Sequence, residues 1–389
     1  MSEIISDFKN EVNIITPKDE YHYFFAYYDM RATGDGINQR HLAHRVKFMD
    51  RLPEADDVCE LGYLENGRFV KFAETTAWNF QQGAMLQYHP TKEGVVYYNV
   101  DLDGTFSTVA HNIINGEKRY TDRATACISP DGRYGLAVNF GRIFAFRPGY
   151  GYKGFTDEYE NIGAPADDGV FLTDMETGKS KLLVSYKDML PFSGFAEDDK
   201  ILVNHITFNT ASNKYVMLVR DFYVGRKLVW TTSMMVGDLS GSIKCVLKNT
   251  TVSHYYWTGE NEILAFCKVP GEKMMLYFIN VETGETRGVD SFYFEGPDNW
   301  DVHCSLSPDG RYIIGDGYPR DGYRHIISFD LVTGESKSIL AAKTVIPECG
   351  DIRCDLHARF VFNGRFVSFD TTQSGRREIA IFPIEKISF

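Results

Sequence analysis

The chain has 389 residues, 43% of them hydrophobic and 14% aromatic, which is enough apolar matter for a large core and excludes a disordered chain. A formal net charge of −12, with no basic run, excludes a general nucleic-acid binder, because counterion release needs clustered Lys and Arg. No stretch is apolar enough to cross a bilayer as a helix, so no membrane partner is expected.

Taken from the start, the first ten residues carry Glu3 and Asp7 and lack a basic stretch followed by an apolar one. No export signal is read there, and the expected compartment is the cytoplasm. The seven scattered cysteines then read as reduced thiols, although Cys349 and Cys354 could pair in an exported protein. Residues 13–16 can supply an outer strand that closes a ring against the last unit of the chain. Tyr21-His22-Tyr23-Phe24-Phe25-Ala26-Tyr27-Tyr28-Asp29 reads as an inner strand or as an aromatic platform for a sugar. Residues 40–51 are the one place where helical periodicity can be suspected. Trp78-Asn79-Phe80-Gln81-Gln82-Gly83 offers amides for ligand hydroxyls, or else an irregular strand entry with a capped turn.

Ser129-Pro130-Asp131-Gly132-Arg133-Tyr134 returns as Ser307-Pro308-Asp309-Gly310-Arg311-Tyr312, each followed by a β-rich run. Asp-Gly between two such runs signals a hairpin. Looser copies begin at Phe208, Trp257 and Phe362, and a second turn recurs as Glu176-Thr177-Gly178, Glu282-Thr283-Gly284 and Val332-Thr333-Gly334. Two alternating turn classes among short strands are the pattern of a four-stranded propeller blade. The expected fold is therefore all-β, a seven-bladed β-propeller of four-stranded antiparallel blades. It is read as a single domain over residues 1–389 with an insertion at about 147–168.

Aligning the units on their first turn gives one column: His22, Met85, Thr125, His205, His254, His303 and His357. The last four are separated by 49, 49 and 54 residues, one blade each, and the insertion accounts for the longer gap from Thr125 to His205. First strands of propeller blades line the central channel, so five of the ten histidines are expected to converge there. Imidazole binds transition metals and titrates near neutral pH. Asp301-Val302-His303 and Asp355-Leu356-His357 place a carboxylate two residues before a histidine, on the same side of an extended strand, to share a metal, to orient the imidazole that binds it, or to pair with Arg353 or Arg359. Arg142 and Tyr150, beside and within the insertion, are candidates for the rim of a pocket. Arg220 and Arg226 can clamp a carboxylate or face solvent. Walker-type loops, Gly-x-Ser-x-Gly elbows and Cys-x-x-Cys pairs are all missing.

The Ser-Pro-Asp-Gly-Arg-Tyr copies resemble the repeat of TolB-like propellers. Residues 303–316, Asp355-Leu356-His357-Ala358-Arg359-Phe360, Asn204-His205 and Ser253-His254 resemble axial segments of oligogalacturonate lyases, over the last four blades and hardly at all over the first three. The resemblance implies a divalent metal, manganese foremost and calcium or zinc as alternatives, and β-elimination of an acidic oligosaccharide. It makes His303 and His357 ligands, with Asp355 standing where the family tends to have another histidine and the family's glutamine missing before it. On this reading Asp355 completes the metal site, while His205 or His254 acts as base or acid and Arg220 or Arg226 clamps the uronate. His22, Tyr27, Tyr28, Asp29, Trp78, Gln81, Gln82, Arg142, Tyr150 and Arg353 contact substrate. The alternatives are a glycan- or protein-binding propeller without catalysis, and a glycoside hydrolase, which needs two facing carboxylates such as Asp29, Asp301 or Asp355.

Overall fold

The computed structural model describes residues 4–221, 231–294, 301–345, 347 and 350–388. The strands form seven four-stranded antiparallel sheets, the blades of a seven-bladed propeller. Blade six, for example, runs His303–Leu306, Tyr312–Asp316, Tyr323–Asp330 and Ser336–Lys343. Blade seven is completed by the start of the chain: Asn13–Ile14 pairs with Glu378–Pro383, with Asn13 opposite Ile381 and Ile14 opposite Ala380. The outer strand expected from residues 13–16 is thus in place.

The recurring turns are built alike. In one copy Asp131 accepts from the Ser129 hydroxyl at 2.6 Å and the Arg133 N–H at 3.0 Å; in the other Asp309 accepts from Ser307 and Arg311. Gly132 and Gly310 take φ of 73° and 72°, which a Cβ would strain. In the second turn class Asp174, Asn280 and Asp330 each receive two backbone N–H groups from the residues that follow.

The chain divides into two compact units, Met1–Tyr98, His111–Glu117 and Val289–Phe389 in one, Asn99–Ala110 and Lys118–Gly288 in the other. Blades one, six and seven lie in the first; its core includes Ile314, Ile326, Leu356, Val367 and Phe382, all buried. Blades three, four and five lie in the second, with Val216, Met234, Ile263 and Ile279 buried together.

Consecutive blades are joined by a repeated polar grip. Asp316 accepts the Leu356 N–H at 2.8 Å, Asp370 the Ala26 N–H at 2.7 Å, and His44 Nε2 the Ala84 N–H at 2.9 Å. Arg220 donates to the carbonyls of Val252 and Ser253, and Asn99 to that of Thr125. In each case a buried side chain of one blade satisfies backbone of the following blade at a bulge of its inner strand or just beside that strand, where a ladder partner is missing. Ala26, Met85 and His357, beside the inner strands of their blades, and His205, at the register shift of blade four, have left-handed φ of 74°, 54°, 47° and 60°.

Two sequence expectations fail here. Residues 40–51 are no helix: His41–Val46 is a strand of blade one, and with both of its faces packed it shows no alternation to read. The α-helices among the described residues are Phe140–Phe146 and Tyr186–Ser193, the latter started by a capping box of Ser185 and Asp188. The column's first member is also shifted. Ala26 occupies the bulge that His357 occupies in blade seven, and His22 lies four residues earlier. The connection after the inner strand of blade one is long and lacks the Asp-Gly turn that fixes the frame elsewhere.

Candidate metal centre

The first unit brings His303, Asp355 and His357 together. One ligand atom from each lies within 4.8 Å of the others, and all three residues are buried. His303 opens the inner strand of blade six; Asp355 and His357 precede the inner strand of blade seven, Arg359–Val361. The imidazoles meet edge to face with ring centres 4.3 Å apart, and the Tyr28 ring lies 5.7 Å from each of them. Tyr27 approaches His357 at 6.4 Å.

Around this triad sits a buried charge network. Arg324 Nη2 is 2.7 Å from Asp355 Oδ1, and Arg353 Nε donates to the same oxygen at 3.1 Å. Asp355 Oδ2 accepts no aligned hydrogen bond among the described residues; Arg353 Nε is 2.9 Å from it and His357 Nε2 4.0 Å. Asp316 Oδ1 is 3.3 Å from His303 Nδ1. Burial alone would raise Asp355, but Arg324 and Arg353 hold it well below the usual carboxylate range. Burial likewise opposes ionisation of Asp316, yet His303 keeps its pKa low. His303 is pulled down by desolvation and up, more strongly, by Asp316, Asp355 and Asp301. Burial and the adjacent His303 hold His357 well below its ordinary value.

These residues fit a divalent ion. Two imidazoles and a carboxylate are a common donor set for first-row metals, and a buried carboxylate oxygen without a hydrogen bond is the atom such an ion would satisfy. Calcium, which takes six to eight oxygen ligands, suits the set poorly.

Other candidates fall elsewhere. Asp29, beside Tyr28, has its carboxyl pushed up to about 7 by desolvation against the pull of Arg31. His22 is half-buried at the strand start, its Nδ1 accepting the Arg377 N–H at 3.4 Å. The Gln81 amide nitrogen is taken up by the protein: Nε2 donates to the carbonyls of Asp351 and Arg353 and so supports the turn leading to Asp355. Asn79 caps the turn at Gln81 and the buried Gln82, as in the irregular-entry reading. Trp78 is core, 1% exposed among Phe24, Phe48 and Phe80, with its indole N–H on the Asp57 carbonyl, so it is no sugar platform.

In the second unit His205 and His254 meet with ring centres 5.5 Å apart, and Tyr150 stands edge-on to His205 at 6.0 Å. Arg220 is buried there on the backbone before His254. Arg142 is not at a rim: fully buried, it donates to Asp157 and to the carbonyls of Tyr159, Ile162, Gly163 and Ile201, stapling the insertion to blade four. A saturated guanidinium has nothing left for a substrate. Arg226 and Cys349 lie outside the described residues.

Sequence reasoning missed Asp316 and Arg324. A signal for Asp316 existed: it ends the strand after one first-class turn, and Asp370 is the last residue but one of the equivalent strand of blade seven. Arg324 has a counterpart by register: it stands two residues before Ile326, the partner of Asp316, as the buried Arg377 stands two residues before Ile379, the partner of Asp370.

Comparison with solved structures gives a likeness over the whole length. An oligogalacturonate lyase in complex with manganese superposes with a TM-score of 0.66 at 14% identity, covering 100% of this chain and 98% of that one. The fold is that of the oligogalacturonate lyases. A second, from Vibrio parahaemolyticus, gives 0.64 at 15% identity and 98% of both chains, and TolB from Acinetobacter baumannii gives 0.44 at 12% over 87% and 77%. No protein-family profile matches the chain, and no curated protein sequence does.

Proposed function

We propose that the protein is a lyase that cleaves uronate-containing oligosaccharides by β-elimination with a divalent ion, manganese foremost, on His303, Asp355 and His357. The observation that carries this reading is the buried triad, one carboxylate oxygen of which accepts no aligned hydrogen bond, in a fold shared with a lyase whose structure contains manganese. The ion, when bound, supplies a Lewis acid for the uronate carboxylate, which makes the proton on the adjacent carbon easier to remove.

The chain's own residues favour an anionic ligand. With both histidines as neutral ligands, Asp316 and Asp355 are offset by Arg324 and Arg353, and Asp301 near His303 offsets one charge of a divalent ion, which leaves a net positive charge for the substrate to meet. A carboxylate gains more from that excess than a neutral hydroxyl does. Tyr27 and Tyr28 shield the imidazoles from water, and Asp29, still partly protonated near neutrality, can donate to a sugar oxygen. His205 and His254 are assigned the proton transfers on their chemistry, since imidazole titrates near neutral pH.

The test is incubation with oligogalacturonates and other uronate oligosaccharides, following the ultraviolet absorbance of the unsaturated product with and without chelator. Product that disappears on chelation and returns with Mn²⁺ is the expected result. Absence of unsaturated product from every uronate tried would overturn the reading.

A further inference from the structure

We infer that Arg324 is a positioning residue that turns one carboxylate oxygen of Asp355, Oδ2, towards the two imidazoles. The inference rests on a metal ion binding the His303, Asp355 and His357 triad.

Arg324 projects from the third strand of blade six, Tyr323–Asp330, and its side chain is 2% exposed. Its guanidinium is fixed at two points. Nη1 donates to the Gly317 carbonyl of its own blade at 2.8 Å, and Nη2 holds Asp355 Oδ1 of blade seven at 2.7 Å. A planar fork held at both ends defines the plane and direction of the carboxylate it grips. Arg353 adds its Nε to Oδ1, anchored by Nη1 on the Gly350 carbonyl at 3.0 Å. That same Nε is 2.9 Å from Oδ2, an ion-pair contact without an aligned hydrogen bond, so Arg353 lies between the two oxygens while Arg324 holds Oδ1, and Oδ2 keeps its hydrogen-bonding capacity. Both guanidiniums also lie over the Tyr318 ring, at 5.6 and 5.3 Å, which limits their movement.

The arrangement has a cost that needs a reason. A guanidinium beside a metal ligand repels the metal, and charge balance alone could be had from any nearby cation. What only the two-point fork supplies is orientation: a carboxylate without it can rotate or present both oxygens, whereas here one oxygen is committed elsewhere. Asp316 does the matching service for the backbone, holding Leu356 between the two blade-seven ligands while facing His303.

The experiment is a double-mutant cycle on Mn²⁺ affinity, read by electron paramagnetic resonance of the free ion in titrations of the full chain. Arg324→Met is made in the native protein and in Asp355→His, whose imidazole offers a single donor nitrogen and needs no guanidinium to select it. Arg324→Met should weaken Mn²⁺ binding by about 10- to 100-fold in the native protein and by less than about threefold in the Asp355→His background. If Arg324→Met does not fold, Arg324→Lys, which keeps charge but cannot span Gly317 and Asp355 together, is read in the same cycle with the same expectation. Unchanged affinity in the native background overturns the positioning role and leaves the metal site standing. An equal loss in both backgrounds also overturns it, because the effect is then on the fold. A native protein that binds no Mn²⁺ removes the metal reading and this inference with it.

Discussion

His44 shows what a buried imidazole does when it serves the fold. Its Nδ1 lies 3.3 Å from the Phe24 carbonyl, its Nε2 accepts the Ala84 N–H, and its ring stacks on Phe24 with centres 4.8 Å apart. One nitrogen must donate and the other accept, so only the neutral ring fits. Burial accordingly pushes its pKa from 6.5 down to about 3, as it does for His41, whose ring nitrogens meet the Leu42 carbonyl and the Ser368 hydroxyl. Between these values the unfolded chain takes up protons that the native state refuses, so stability is lost as pH falls below 6.5. Each of the two should contribute about 1.4 kcal/mol per pH unit to that slope. Urea unfolding of His44→Asn should therefore show lower stability at neutral pH, from the lost grip on Ala84, but a shallower fall on acidification than the native protein. An unchanged acid slope would remove His44 as a source of it. The contrast with His303 and His357 was partly legible in the sequence, because both carry a carboxylate two residues before them. His41 and His44 have no such neighbour. Asp316 and Arg324 have repeat counterparts in Asp370 and Arg377, but their partners Leu356 and Asp355 were not legible, since the contacts run between blades across some thirty to forty residues.

At the scale of elements, the turn chemistry made the blades readable and the inter-blade grips did not. Ser-Pro-Asp-Gly acts within six residues, through the Asp side chain and a glycine at positive φ, so its copies keep their letters. The grips use whatever polar group reaches the next bulge, and Asp, His, Asn and Arg all do so. That tolerance hides them from alignment, and it also let His22 stand in the column where Ala26 belongs. Asp370 is the grip with most depending on it. It accepts the Phe25 and Ala26 N–H groups through Oδ2 and pairs through Oδ1 with Arg359, which itself donates to the Ala26 carbonyl and to Ser368. Asp370→Ala leaves a buried guanidinium and two buried N–H groups unmatched, for an expected loss of about 3–5 kcal/mol. Asp370→Asn, which keeps one acceptor oxygen, should lose less. Equal denaturation midpoints for the two variants would show that the carboxylamide cannot replace the grip and that the charge alone matters.

For the molecule as a whole, a metal ion on the triad would tie blade six to blade seven, because His303 belongs to one and Asp355 and His357 to the other. An ion that binds only the native state stabilises it by mass action, by about 2.7 kcal/mol when the free ion is at a hundred times its dissociation constant. The location of that gain is the sharper measurement. Hydrogen exchange followed with and without Mn²⁺ should slow at His303–Leu306 and in the segment from Asp355 to Val361, whose Leu356 N–H is already held by Asp316. The strands Ile201–Phe208 and Val252–Trp257, which carry His205 and His254, contain no member of the triad and should change little. His303→Ala should abolish the protection at Asp355 to Val361 although that segment is untouched by the substitution, because a single ion needs donors from both blades. Protection that survives His303→Ala, or that appears first around His205 and His254, would place the ion elsewhere and return the triad to the role His44 plays, a histidine cluster held for the sake of the fold.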